Sequence, residues 1–288
     1  MGISGTFFAV LKLMGHQYVC FLKITCMKSI IKALLLLFVV SSPAFGQEDY
    51  KVIKVNGTIL LKSRGVSLET GTVFSPGEDL LFRSEDATAA VINSQKGRLI
   101  ITSKNHDLTS TNTNYMPSMY NISSRGGAII NISDLRIQFS GRVAVLDRLG
   151  IVLIDDDYPM NKDNFFFLRY LLKGEEINKK MDFSGDTMFI DRKALFTVDG
   201  SPIPGADNTR IKLYYRKGKE SVFISEFDLI FPDMNQLAKE VEVILNEVKN
   251  KPADIKIIEA GAYINDFYGK IDSDHLLSWL EKRFGIKK

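Results

Sequence analysis

The densest cluster of side chains able to do chemistry is Asp155-Asp156-Asp157, which follows the apolar run Ile151 to Ile154 and precedes Tyr158-Pro159. Carboxylates gathered at a strand end can hold a hard divalent cation, which needs several converging oxygens, and Asp163 would add one more. Asp155, Asp156 and Asp157 are therefore weak metal candidates, and they are also the acids a hydrolase would use. The competing reading is a solvated acidic turn. It is favoured because no glycine-bearing calcium-loop spacing accompanies them and no phosphate-cradling loop precedes a helix.

Other constellations are thinner. Beyond residue 46 the only histidines are His106, in a polar stretch, and His275, beside Asp272 and Asp274. A histidine-based hydrolase needs a nucleophile and an orienting acid, and the chain has no Gly-x-Ser-x-Gly elbow, His-Glu-x-x-His or His-x-x-x-His. A surface position is expected for both histidines. Glu175, Glu176, Asp182 and Asp186 offer paired carboxylates of the glycosidase kind, but a chain with 34 acids supplies such pairs by chance. Hairpin charges are the simpler reading. Ser123-Ser124-Arg125 with Gly126-Gly127 reads as a hinge rather than a phosphate loop. No catalytic residue and no cofactor is assigned.

Aromatic residues are the alternative carriers of function. In the strand containing Phe165-Phe166-Phe167, alternation places Phe165 and Phe167 on one face and Phe166 on the other. Either both faces are covered, with the C-terminal helices as the expected cover, or one presents an apolar patch to a partner. Trp279 falls off the stripe Leu276–Leu280–Phe284, at an interface or at the edge of the core. The candidate partner surface is Phe166, Tyr170 and Trp279.

The elements that carry these residues begin with an export signal. Lys28 and Lys32 precede the apolar run Ala33 to Val40; Ser41-Ser42-Pro43 breaks it, and Ala44-Phe45-Gly46 places small residues at a cleavage position before Gln47. A run this short spans roughly 12 Å as a helix, against a hydrocarbon layer of about 30 Å. The expected start is Met27, with residues 1–26 a mis-assigned upstream segment and 27–46 a signal peptide. The rival is a retained anchor made of residues 1–46.

Removing residues 1–46 changes the composition. Four of the 37 lysines and arginines go (Lys12, Lys23, Lys28, Lys32) and none of the 34 acids, leaving 33 against 34 and a net charge of −1. A near-neutral protein lacks the clustered cations that nucleic acid requires. Both cysteines, Cys20 and Cys26, are removed too, and with them disulfide, thiol and lipid-anchor chemistry.

Residues 50–102 read as short strands cut by Asn56-Gly57, Arg64-Gly65, Thr70-Gly71, Pro76-Gly77 and Lys96-Gly97, a pattern that closes most easily into a small barrel. A Ser/Thr/Asn-rich linker covers 103–127. Strands are then expected at Ala128 to Ile132, Leu135 to Phe139, Val143 to Leu146, Ile151 to Ile154, Phe165 to Leu172, Glu175 to Phe183, Asp186 to Ile190, Ala194 to Val198, Ile211 to Arg216 and Ser221 to Leu229. Apolar residues from Met234 to Val248 recur at helical spacing, and further helices are predicted over Ala253 to Tyr268 and Ser273 to Phe284, the last capped by Asp272 or Ser273 and stopped by Gly285. The fold class is α+β and β-dominated, with a small N-terminal SH3-like barrel followed by a β-rich region (128–288) ending in three helices.

Val55-x-Gly57-x-Ile59, Gly71-x-Val73, Pro76-Gly77-Glu78-Asp79-Leu80, Ser84-x-x-Ala87-x-Ala89 and Gly97-Arg98-Leu99 resemble the small β-domain of FecR-like proteins and related SH3-like barrels. The resemblance covers about residues 50–102, within a module placed at 47–102, and the usual Gly-Asp pair carries one inserted residue here. It implies a sensing or binding module of a bacterial envelope and carries no catalytic residue. The expectation is an exported, periplasmic or extracellular binding or accessory module for a protein or cell-wall partner. It would bind no nucleic acid and keep no membrane anchor after cleavage. A FecR-like sensor, if residues 1–46 are an anchor, and a hydrolase using Asp155–Asp157 are the alternatives.

Overall fold

Turn glycines and alternating apolar residues set the first region. In the computed structural model the strands are β1 (Tyr50–Asn56), β2 (Ile59–Leu61), β3 (Val66–Ser67), β4 (Val73–Phe74), β5 (Leu80–Phe82), β6 (Thr88–Asn93) and β7 (Gly97–Thr102). They form two antiparallel sheets, β4-β1-β6-β7 and β3-β2-β5, and no closed barrel among the described residues. Gly57 makes the first turn with φ +76°, and a Cβ there would stand 3.0 Å from that of Ala87. The structure describes residues 49–108, 128–129, 131–154, 156–198, 200–202 and 208–288. Residues 1–48, the linker beyond residue 108 with Gly126-Gly127, and Asp155 lie outside them.

β6 explains how this sheet is used. Ala89 and Val91 belong to a core shared with Val52, Ile59, Leu61 and Leu99, whereas Ala90 and Ile92 face a second core with Ile53. A strand buried on both faces reads as a continuous apolar run, as Ala89 to Ile92 does.

The second region holds β8 (Ala128–Ile129), α1 (Ile132–Gln138), β9 (Gly141–Ala144), β10 (Arg148–Leu153), β11 (Asn164–Leu172), β12 (Glu175–Lys180), β13 (Asp182–Ser184), β14 (Thr187–Asp191), α2 (Arg192–Leu195), β15 (Thr197–Val198), β16 (Ser201–Pro202), β17 (Asn208–Lys217) and β18 (Glu220–Ile230). Two sheets dominate, in the orders β12-β11-β17-β18-β9 and β13-β14-β10-β8. Phe166, Leu168, Tyr170, Leu213 and Tyr215 of the first sheet share a core with Leu149, Ile151, Leu153, Met188 and Ile190 of the second.

Two predicted strands are helices. Leu135 to Phe139 lies in and just beyond α1, whose cap Asn131 accepts hydrogen bonds from the backbone N–H groups of Ser133 and Asp134. The apolar pair Leu135 and Phe139 is buried at a spacing of i and i+4, while Ile137, which strand alternation would bury with them, is 69% exposed. Ala194 to Val198 likewise begins inside α2, which Asp191 caps by accepting from Ala194 N–H, and only Thr197 and Val198 are extended.

The C-terminal helices are α3 (Met234–Glu247), α4 (Ala253–Phe267) and α5 (Ser273–Phe284), with Asp233 and Asp272 as caps and Gly285 in the left-handed region at the end. They bury Leu237, Val241, Ile244, Ile257, Tyr263, Ile264, Leu276 and Leu280 against Ile53, Ala90 and Ile92 of the first region, Ala144 of β9 and Leu146 just beyond it. The helices therefore cover the β1–β6 sheet and not the phenylalanine strand, whose buried face is covered by the opposing sheet. Glu48–Lys288 is one compact unit, α+β and rich in strand. Among the described residues no helix is long and apolar enough to cross a membrane.

Candidate binding face and the buried seam

The solvent side of the five-stranded sheet is built by register. On β11 and β17, Phe165 stands opposite Arg216, Phe167 opposite Tyr214 and Arg169 opposite Lys212; Tyr214 stands opposite Phe223 of β18, and Lys180 of β12 opposite Phe167. Directly opposed residues share a face. The rings run across the strands: Phe165 to Phe167 at 6.5 Å between centroids, Phe167 stacked on Tyr214 at 5.2 Å, and Tyr214 to Phe223 edge-on at 5.5 Å.

Cations lie over these rings. The Lys180 ammonium is 4.2 Å from the Phe165 centroid, and the Arg169 guanidinium is 4.6 Å from that of Tyr214. Arg169 is also held by Asn178, whose Oδ1 accepts from its Nε at 2.8 Å, and by Glu176 at 3.2 Å. Phe223 and Leu171 are the exposed apolar side chains of this face, at 47% and 69%.

The face ends in an open groove of about 480 Å³ lined by Arg148, Lys180, Asp182, Phe183, Ser184 and Phe189. Arg148 lies 4.1 Å over the Phe189 ring, and that ring rests on the backbone at Gly150, where a Cβ would stand 3.1 Å from Phe189 Cε1. Glycine lets an aromatic ring lie flat on the sheet at this point.

A second set of charges and rings is sealed between the first sheet and the helices. Glu240 of α3 is fully buried; its Oε2 accepts from the hydroxyls of Tyr263 at 2.7 Å and Tyr268 at 2.6 Å, and its Oε1 accepts from Gln236 Nε2 at 3.1 Å. Lys54 of β1 stands 3.5 Å from Glu240 Oε1, donates to Tyr268 Oη at 2.7 Å and lies over the Tyr268 ring. Burial first, then the adjacent carboxylate, pushes both tyrosine hydroxyls far above their ordinary range, so they remain donors.

Arg98 of β7, 1% exposed, pairs with Asp266 of α4 at 2.9 Å through Nη2, while its Nε and Nη1 make no hydrogen bond. Gln236 Nε2 also reaches Thr70 Oγ1 at 3.0 Å, and Lys51 pairs with Glu247. This seam fastens the strands of residues 50–102 to the C-terminal helices.

The residues singled out from sequence separate accordingly. Phe166 and Tyr170 are core residues, at 1% and 3% exposure, and cannot form a partner surface; the parity of β11 turns them inward, and the Tyr170 hydroxyl donates to Leu195 O at 2.8 Å. Trp279 is half-buried at the edge of the helical core, edge-on to Phe284 at 5.4 Å. Asp156, Asp157 and Asp163 are exposed, and no group of three or more potential metal ligands occurs among the described residues. Glu175, Glu176, Asp182 and Asp186 are exposed hairpin charges.

His106 is exposed beside Phe82. His275 is not a surface residue of that kind: its Nε2 accepts from Leu146 N–H at 3.0 Å, which only the neutral ring can do, and burial lowers its pKa although the carboxylates of Asp272 and Asp147 oppose the shift. The residues missed from sequence are Arg169, Lys180, Tyr214, Arg216 and Phe223. The available signal was the polar continuation of Phe165–Phe167 into Arg169, which marks the outward parity. No protein-family model matches the chain, and no curated protein matches its sequence.

Proposed function

We propose that this protein is an exported, non-enzymatic binding module of a bacterial cell envelope, and that it engages a protein or cell-wall partner through the sheet face on which Phe165, Tyr214 and Phe223 reach solvent above the buried Phe167. The observation that carries the reading is that aromatic run, laid across three strands on the solvent side of a sheet and overlaid by Arg169 and Lys180. Aromatic and arginine side chains presented together are typical anchors of recognition surfaces. Residues 50–102 are read as a FecR-like or SH3-like module on the motif resemblance, held by the seam so that the exported chain acts as one unit.

Export supplies the compartment, with cleavage before Gln47. N-terminal sequencing of the protein from its native host is expected to begin at Gln47, and recovery of Met1 would overturn this part. For the binding role, the protein and its Phe223→Ser variant are each used to capture partners from an envelope fraction. The reading expects a retained partner with the first and its loss with the second; equal capture by both, or none by either, would refute it.

A further inference from the structure

We infer that the face takes an acidic, extended segment of a partner protein, its carboxylates seated among Arg169, Lys180 and Arg216 and an apolar side chain resting on Phe223. This rests on the binding-face reading and names the partner's chemistry. Around the ring run stand four cations, Arg169, Lys180, Lys212 and Arg216, set by the strand register. The acids of the same face gather at its Leu171 end: Glu176 on β12, paired with Arg169, and Glu226 and Asp228 on β18, opposite Lys212 and Arg210. Lys180 and Arg216, at the other end beside Phe165, face no acid in the strand register, so a short acidic stretch fits there and a long polyanion would run on into the three carboxylates.

The state of the rings argues against other occupants. A sugar stacks on an open ring face, but Lys180 lies over Phe165 and Arg169 over Tyr214. A bilayer is entered by protruding apolar side chains. Phe167 is buried, and Phe165 and Tyr214 are half-buried, which leaves Phe223 and Leu171 alone to protrude.

The extended conformation follows from topology. Lys180 on β12 and Phe223 on β18 are separated by three strand spacings, roughly 14 Å, so a segment that reaches both crosses the strands and spans the distance in about five residues only when extended. Beyond Lys180 the groove repeats the cation over a ring, Arg148 over Phe189, but the Asp182 carboxylate also lines it, so the acidic segment stops at Lys180.

The test is fluorescence anisotropy of the full chain with a labelled peptide carrying glutamates at alternate positions and phenylalanine among serines, against a counterpart with lysines in place of the glutamates. The glutamate peptide is expected to bind, more weakly as salt rises, and the lysine peptide to bind at least about tenfold less tightly. Lys180→Gln combined with Arg216→Gln, both at solvent-facing positions, is expected to weaken the glutamate peptide by roughly tenfold without changing the fold seen by circular dichroism. Equal binding of the two peptides, or indifference to the paired substitution, would overturn the inference. Preference for vesicles of anionic phospholipid over the glutamate peptide would overturn it as well. If the envelope partner is still captured by the paired variant but lost with Phe223→Ser, the acidic segment falls and the binding face stands.

Discussion

Two regions of this molecule use the same chemistry, cations laid on aromatic rings beside carboxylates, and differ in whether water reaches it. In the seam, Lys54 covers Tyr268, Glu240 is fully buried, and every oxygen of its carboxylate has a donor. On the sheet face, Arg169 covers Tyr214 with Glu176 half-exposed beside it. Buried, such a set is strongly coupled to folding, because a lone remaining member would be an unpaired charge in a low dielectric. Exposed, the same set adds little to stability and is free to meet a partner. Substitutions in the two regions should therefore separate in stability, and the largest effect belongs to the seam.

Glu240→Ala would strand the Tyr263 and Tyr268 hydroxyls and the Gln236 amide and leave Lys54 without its buried counter-charge. The expected loss is about 3–5 kcal/mol in urea unfolding. Arg98→Met makes the sharper control. Arg98 already carries two nitrogens, Nε and Nη1, without a hydrogen bond, and its partner Asp266 is partly solvated. Replacement by an apolar side chain of similar reach is expected to cost less than about 1.5 kcal/mol. If both variants lose the same amount, the seam is not acting through satisfied hydrogen bonds.

The next effect concerns how the helices are clamped to β9. Gly269 has φ +119°, and a Cβ would meet the Arg142 backbone carbon and oxygen at 2.6 Å. Lys270 then donates from its backbone N–H to Arg142 O at 2.8 Å, and Ala144 N–H donates to Lys270 O at 2.8 Å. Gly269→Ala combines backbone strain with this clash and is expected to cost about 3 kcal/mol, read in the same unfolding experiment.

His275 provides a pH-dependent probe of the same side of the molecule. Its folded pKa lies below the unfolded value of about 6.5, so the unfolded chain takes up its proton first as pH falls. The stability from the neutral, Leu146-bonded ring is present above about pH 6.5 and is lost as pH drops through the folded pKa. Unfolding of the protein between pH 7.5 and 5 should show this loss, and His275→Gln should show less of it. An equal slope in both would assign the acid sensitivity to other groups.

Much of this arrangement was legible in the sequence, and what was not has physical causes. The three C-terminal helices follow from helical spacing with Asp233, Asp272 and Gly285 at their ends. The strand from Phe165 was also plain, because its alternation is a local property. Which parity faces inward depends on the opposing sheet of Leu149, Ile151 and Met188, a long-range contact, and so Phe166 and Tyr170 were placed outward. The helix α1 was read as a strand because Leu135, Ile137 and Phe139 satisfy a period of 2 as well as a spacing of 4, and only the Asn131 cap separates the two. The seam was not legible at all. Lys54, Arg98 and Glu240 look like ordinary surface charges until sheet and helices, far apart in the chain, are brought together.

The smallest effect is the one that tests the comparison from the other side. Arg169 is 31% exposed at its side chain and Glu176 is 50% exposed, so their attraction is screened by water. Its stacking on Tyr214 and its hydrogen bond to Asn178 add a little packing and order. Arg169→Gln keeps a polar side chain at the position and is expected to change unfolding free energy by no more than about 1 kcal/mol. A loss on the scale of Glu240→Ala would make the face a structural element, held for the sake of the sheet. A change within that small range, joined to weaker capture of the envelope partner, would leave recognition as the reason for laying cations over the half-buried rings of this face, since folding would then be nearly indifferent to them.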